Sequence, residues 1–339
     1  MKIVIFGPHK RTGALVDGNV VDLSYACAKY LHEKVGEPAP SEMAEALVPS
    51  DLGRLIEGGP RAIETAQKAL DHLAGQAQDK LGPHGERIIY PAAEARLHAP
   101  RANNARIACA GGNFADHAEA MAVKMRGKGF DGDARQEIRK NGFWGFWKLA
   151  REFVGPDGDL VYPERCNLLD YEGEIAVVLS KRGVDLKQSQ FKEYVWGVTM
   201  LADWSIRAPR EAPGGMLNFA FAKNFDSSCS IGPCIAVGEC DPMNADIETL
   251  VNGERRQRYN THDMVFTFPE WLEYLSRDFT LYAGDMISGG TAAGTAADSS
   301  ALLPDKTSAP ERFLKVGDMV EMKSPVIGSL RTHVVAKKK

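Results

Sequence analysis

The stretch Asp170-Tyr171-Glu172-Gly173-Glu174-Ile175-Ala176-Val177-Val178-Leu179 sets two glutamates two positions apart at the mouth of an unbroken apolar run. Five consecutive apolar residues with no helical spacing read as a strand buried on both faces. In a strand, side chains at i and i+2 share a face, so Glu172 and Glu174 stand side by side at the entrance to a core. Two such carboxylates repel. Either one keeps its proton, or a cation sits between them, or the pair lies at an exposed strand end and does nothing. If a cation is bound, hard oxygen donors select Mg²⁺, Mn²⁺ or Ca²⁺ over zinc.

Working outward, Val195 to Leu201 is a second strand-like run, and it closes with Ala202-Asp203-Trp204. Asp203 is either a turn former or a third ligand, the latter only if its strand lies beside that of Glu172. Upstream, Gly111-Gly112-Asn113 leads into a predicted helix carrying His117, read as either a structural histidine or a base. Downstream, Gly284-Asp285-Met286 runs through Gly289-Gly290-Thr291 to Gly294. This glycine-rich loop lacks the Gly-Lys-Ser/Thr of a P-loop and the long following helix of a dinucleotide fold. It is either a tight interstrand turn or a donor of N–H and hydroxyl groups to a carboxylate. Phe143, Trp144, Phe146 and Trp147 are expected to pack in the core or to cover a pocket. There is no G-x-S-x-G elbow and no H-E-x-x-H, and Ser189-Gln190-Phe191-Lys192 lacks the partner motifs of an S-x-x-K enzyme.

The composition is that of an ordinary globular chain, with 44% hydrophobic and 25% charged residues among 339. The 41 Lys and Arg against 45 Asp and Glu leave a formal charge of -4, so no basic excess is available to neutralise phosphates and no nucleic-acid partner is expected. The Lys337–Lys339 run reads as a solvated tail. No stretch is apolar for long enough to cross a bilayer, so no membrane partner is expected. Ile3 to Phe6 is too short for a signal-peptide core and reads as a first strand. Six cysteines without a C-x-x-C pair point to reduced thiols and a cytoplasmic location. Val16 to Asp22 reads as a hairpin, 41–78 as helical with Pro60 at a helix start, and Pro269–Arg277 as a helix. The charge-dense 122–142 reads as an exposed or mobile insert, and the chain beyond about 160 as mostly β. A boundary is expected within 79–100, where Gly82, Pro83, Gly85, Pro91 and Pro100 cluster.

Taken in order, these motifs resemble the fumarylacetoacetate hydrolase family. Gly112-Asn113-Phe114-Ala115-Asp116-His117, Phe146-Trp147-Lys148, Val154-Gly155-Pro156, Lys223-Asn224-Phe225-Asp226, Ile231-Gly232-Pro233, Val251-Asn252-Gly253-Glu254 and Gly317-Asp318-Met319-Val320 follow in family order around Asp170–Glu174, the most specific match. The resemblance implies an α+β, mainly β fold: a mixed β-sandwich roll with a small N-terminal α/β domain. It implies a domain over 1–96, a catalytic domain over 97–339 with a lid insert at about 115–150, and a homodimer. It implies Glu172, Glu174 and Asp203 as metal ligands, with Mg²⁺ first and Mn²⁺ or Ca²⁺ as alternatives. His117 is then the base and Lys223 a catalytic cation, with Glu119 the nearest acid to that base. Thr291, Gly290, Arg207, Arg210 and Lys148 are substrate contacts. Three departures stand out. Ala120 occupies the place of the family's dyad glutamate, Arg210 that of a glutamine, and Ala292 that of the loop proline.

What the resemblance implies for activity is metal-dependent C–C hydrolysis of a small 2,4-dioxo acid, of the kind met in aromatic compound breakdown. The alternatives are decarboxylation, isomerisation or hydration of a 2-oxo acid, which draw on the same metal-stabilised enolate, or a catalytically silent metal-binding relative.

Overall fold

The computed structural model describes residues 1–75, 81–210, 218–304 and 307–338. The last residues of the expected 41–78 helical stretch and of the basic tail lie outside them. The fold is α+β and mainly β. Gly173–Leu179 is buried along its whole length, because it lies inside an eleven-stranded sheet between Val195–Asp203 and Met286–Ser288. The sheet has apolar cores on both faces. Ile175, Val177 and Leu179 face one core, and Ala176 and Val178 face the other. This is why the run is continuous rather than alternating.

The first core lies between this sheet and a five-stranded sheet ordered Glu254–Asn260, Asp246–Val251, Met319–Ser324, Gly328–Val335 and Gly158–Val161. The two layers come close at Gly173, where an added Cβ would lie 2.1 Å from Thr249 Oγ1. Glycine is therefore required between the two glutamates. The second core is covered by N-terminal helices Leu23–Tyr30, Pro40–Leu47, Leu52–Glu57 and Gly59–Ala74. The expected helical stretch thus breaks at 48–51 and at Gly58, and Pro60 starts its last helix. That helix buries Ala62, Ala66, Ala69 and Leu73, spaced as one face of a helix.

Strand Lys2–Phe6 does not form a sheet of its own. It pairs antiparallel with Cys229–Ala236 on one side and with the hairpin strand Arg11–Val16 on the other. The hairpin turns at Asp17 and Gly18, both at positive φ, as a two-residue turn demands. The cysteines are all free.

The charged stretch 122–142 is largely exposed, as expected, and it carries helical structure. Helix Ala115–Arg126 runs into it, and Ala134–Asn141 forms a further helix capped by Asp133. Its arginines serve as anchors. Arg135 donates to the Asp263 and Met264 carbonyls, and Arg139 to the Val265 carbonyl and to Glu270.

Candidate active site

Strand pairing builds the site. Gly173 lies opposite Ala202, and Asp203 N donates to the Glu172 carbonyl at 2.9 Å. Asp203 therefore stands across from Glu172, and cross-strand partners project to one side. The result is that Glu172, Glu174 and Asp203, all buried, place carboxylate oxygens within 4.8 Å of one another. They share the face of Ala176, Val178 and Leu201, just past the end of the apolar core.

Three cations surround this cluster. Lys223 Nζ donates to Glu172 Oε2 and, at 2.8 Å, to Asp203 Oδ2. Lys148 is ion-paired with Asp203 Oδ1 and donates to the Lys223 and Ser228 carbonyls at 2.8 Å each. Arg207 contacts Glu172 Oε1 and donates to Asp170 Oδ2 at 2.9 Å. Burial alone drives the Glu172 carboxyl up, but Lys223, Arg207 and His117 outweigh it and hold the group below the ordinary range. Glu174 goes the other way. Burial, then Asp203 and Glu172, push it well above the usual carboxylate value, against hydrogen bonding from Ser288.

The donor set fits a divalent cation. A hard ion held at about 2.1 Å from each of three oxygens needs those oxygens roughly 3 to 4 Å apart, and the three here all lie within 4.8 Å of one another. Glu174 is the group that such an ion would relieve. Asp203 Oδ1, fully buried, has the Lys148 ion pair but accepts no hydrogen bond of good geometry.

His117 is buried on the first turn of Ala115–Arg126. Its Nδ1 lies 2.7 Å from Asp298 Oδ2. A carboxylate only accepts, so Nδ1 carries a proton, and in the neutral ring the lone pair is then on Nε2. Glu119 is turned elsewhere, and its Oε2 accepts from Phe130 N at 3.1 Å. Arg210 is exposed and donates to the Cys166 carbonyl at 3.4 Å, away from the carboxylates. Thr291 donates to the Gly173 carbonyl at 2.9 Å and accepts from Gln257 Nε2 at 2.8 Å. Gly290 sits at φ 85°, where a Cβ would come within 2.8 Å of the Ala110 carbonyl oxygen. Of the residues singled out in the sequence, the fold brings Glu172, Glu174, Asp203, Lys148, Lys223 and Arg207 into direct contact. It sets Thr291 and Gly290 against the same strand and separates Glu119 and Arg210.

Other site groups were not singled out. Asp170 accepts from Ala296 N and Ala297 N at 2.7 and 3.2 Å while holding Arg207. Gln257 reaches from the five-stranded sheet to Gly173 N, Thr291 and Ala292. Asp170 is legible in the opening motif. Asp298, 181 residues from its histidine, has no local signal.

Comparison with known proteins agrees with this architecture. The family model described as fumarylacetoacetate (FAA) hydrolase C-terminal matches residues 106–335. The chain is 31% identical to the oxaloacetate tautomerase YisK of Bacillus subtilis (strain 168) over 292 residues, 85% of this chain and 87% of that protein. It is 28% identical over 330 residues, 97% of this chain and 88% of that one, to the mitochondrial oxaloacetate tautomerase Fahd2a of Rattus norvegicus. In fold it is similar to the maleylpyruvate hydrolase from Sphingobium sp. SYK-6 in complex with manganese (II) ion and pyruvate. The TM-score is 0.67 at 21% identity, covering all of both chains. Among the described residues no helix is long and apolar enough to cross a membrane. With its acidic cluster inside the matched region and a relative above 30% identity along most of its length, the chain belongs to the fumarylacetoacetate hydrolase family.

Proposed function

We propose that this protein is a divalent-metal-dependent keto–enol isomerase of a small 2-oxo dicarboxylate, with oxaloacetate as the model substrate. The observation that carries the reading is a buried histidine, paired through Nδ1 with Asp298 and near enough to act electrostatically on Glu172 of a three-carboxylate cluster, in a chain whose relatives include oxaloacetate tautomerases. Glu172, Glu174 and Asp203 would hold the ion, Mg²⁺ or Mn²⁺. Once bound, such an ion polarises a 2-oxo carbonyl and stabilises negative charge on its oxygen.

The chain's own groups supply the rest. His117 Nε2 takes the proton from the carbon beside the carbonyl and the resulting imidazolium returns it to the carbonyl oxygen, so the base is regenerated and the composition of the substrate is unchanged; enol decay is the same transfer in reverse. Lys223 and Lys148 stand where negative charge accumulates, and Arg207 keeps Glu172 ionised. Charge balance favours an anionic substrate. With an ion bound and all four carboxylates ionised, Asp170, Glu172, Glu174 and Asp203 carry one charge more than Lys148, Lys223 and Arg207, so a divalent ion would leave the cluster net positive by one.

A second reading, hydrolysis of a C–C bond in a 2,4-dioxo acid, is favoured by the carboxylate behind His117, an arrangement that also suits activation of water. One assay separates the two. Enol oxaloacetate and an acylpyruvate are each incubated with the purified protein and Mn²⁺ or Mg²⁺, following enol absorbance, pyruvate and CO₂. Accelerated enol decay without CO₂ is expected. Release of pyruvate plus a carboxylic acid from the acylpyruvate would favour hydrolysis, and no acceleration with metal bound would sink the isomerase reading.

A further inference from the structure

The aromatic run Phe143-Trp144-Gly145-Phe146-Trp147 divides between two faces. Phe143 stacks on Phe266 and Tyr274, with ring centroids 4.1 and 4.3 Å apart, and Trp147 meets Phe279 at 5.3 Å. Both pack against the first core. Trp144, Phe146 and Lys148 alternate with them, as the two-residue period of strand Gly145–Lys148 requires. Phe146 packs against the second core, on the face that carries the carboxylate cluster, and Lys148 reaches Asp203 of that cluster. Outward from the cluster, this face runs from a buried ammonium to a partly buried ring and then to Trp144, which is 50% exposed.

Phe219 closes the other side, on the short helix Phe219–Ala222 directly before Lys223. Its ring centroid lies 5.0 Å from that of Trp144 at 84° and 5.9 Å from that of Phe146 at 31°. Lys223 Nζ lies 4.9 Å from the centre of the Phe146 ring. The Lys223 segment is tied to the strand, because Asn224 Nδ2 donates to the Trp147 carbonyl at 3.1 Å and Asn224 Oδ1 accepts from Ala150 N at 3.3 Å. A Cβ at position 111 would collide with the Trp144 ring, so Gly111 lets the indole lie where it does. Three rings set at these angles make a corner rather than a filled stack. One wall of that corner is in contact with Lys223, and another is open to solvent.

We propose that Trp144, Phe146 and Phe219 form a subsite for an aryl group, so that the site takes arylpyruvates as a second class of 2-oxo acid. This rests on the keto–enol isomerase reading. In an arylpyruvate a single carbon separates the carbonyl from the ring, so a carbonyl held beside Lys223 brings the ring against Phe146. Aromatic rings attract edge-to-face or offset with centroids about 4.5–7 Å apart, and the corner offers both approaches. The proton transfer is the one already described. His117 takes a proton from the carbon between carbonyl and ring and returns it to the carbonyl oxygen, with no change of composition and no co-reactant.

Enol phenylpyruvate and enol oxaloacetate are compared with the Mn²⁺-loaded parent, Trp144→Leu and Phe219→Leu, following loss of enol absorbance. The parent should accelerate both. Each substitution should lower kcat/KM for phenylpyruvate, relative to that for oxaloacetate, at least ~10-fold. Titration calorimetry with equilibrated phenylpyruvate should show its affinity falling in step. A parent that converts enol oxaloacetate but not enol phenylpyruvate overturns this inference and leaves the proposed function standing. A parent inert toward both, yet binding phenylpyruvate with an affinity lost in Trp144→Leu, overturns the proposed function and leaves the subsite standing. Equal losses on both substrates would mean that the rings only hold the fold. A changed oligomeric state in size-exclusion chromatography with unchanged selectivity would mean that they meet a second copy. Either result overturns the subsite.

Discussion

At the scale of single residues, the site places like charges close together and separates them with buried cations. His117→Ala removes the imidazole paired with Asp298. Turnover should fall by at least roughly 10²-fold in the enol-decay assay, the lower end for general base catalysis. Asp203 is fully buried and paired with Lys148 and Lys223, themselves buried. Asp203→Asn should abolish Mn²⁺ binding in titration calorimetry. It should also lower unfolding free energy by roughly 3–5 kcal/mol, because the buried ammonium of Lys148 loses its counter-charge. A variant with parent-like denaturant midpoint and metal affinity would remove Asp203 from the site. Glu119 shows how adjacency in sequence misleads: two positions from His117 on a helix, it points to a different neighbour, the amide of Phe130.

At the scale of elements, the pieces near the site are pinned by polar anchors as well as by apolar area. Helix Phe268–Leu275 begins in a capping box. Thr267 N and Oγ1 both donate to Glu270 Oε2 at 2.8 Å, and Arg139 from the insert helix reaches the same carboxylate. Burial nudges the Glu270 carboxyl up, but the hydrogen bonds from Arg139 and Thr267 outweigh it, so its folded pKa lies below the ordinary value. A depressed folded pKa contributes stability above the unfolded value, and that contribution is lost as pH falls through the folded one. Glu270→Gln should therefore cost a few tenths to about 1 kcal/mol at neutral pH, and the gap to the parent should close on acidification. Urea denaturation at pH 7 and pH 3 checks this, and a gap that widens in acid would refute it.

At the scale of the whole molecule, the N-terminal segment and the site-bearing sheet share structure. Lys2–Phe6 is a strand of the same sheet, and the helices after it cover Ala176, Val178, Leu201, Ile231 and Ile235. Deleting residues 1–96 would strip one face of the central strands, and loss of that apolar cover is more than a marginally stable fold can absorb. The expected outcome is an aggregated or dye-binding product. A monodisperse 97–339 fragment with a cooperative thermal transition would show that the remaining chain stands alone.

Some of this was legible from the chain alone. The Glu-x-Glu at the mouth of an apolar run, the acid ending the next strand, the hairpin at Asp17-Gly18 and the helical character of Gly59–Ala74 all depend on local pattern, which backbone geometry translates directly into structure. What local pattern cannot carry is which distant segments meet. Register alone set Asp203 across from Glu172, and packing alone turned Glu119 away from His117. Sheet order made the N-terminal strand a neighbour of Cys229–Ala236. The pairing of His117 with Asp298 spans most of the fold and exists because a short segment capped by Asp170 is fastened to a helix by Lys124. The chain determined which chemical groups were available and on which face of each element they stood. Tertiary structure decided which of them touch, because contact between remote segments depends on how whole layers pack, and no window of sequence contains that information.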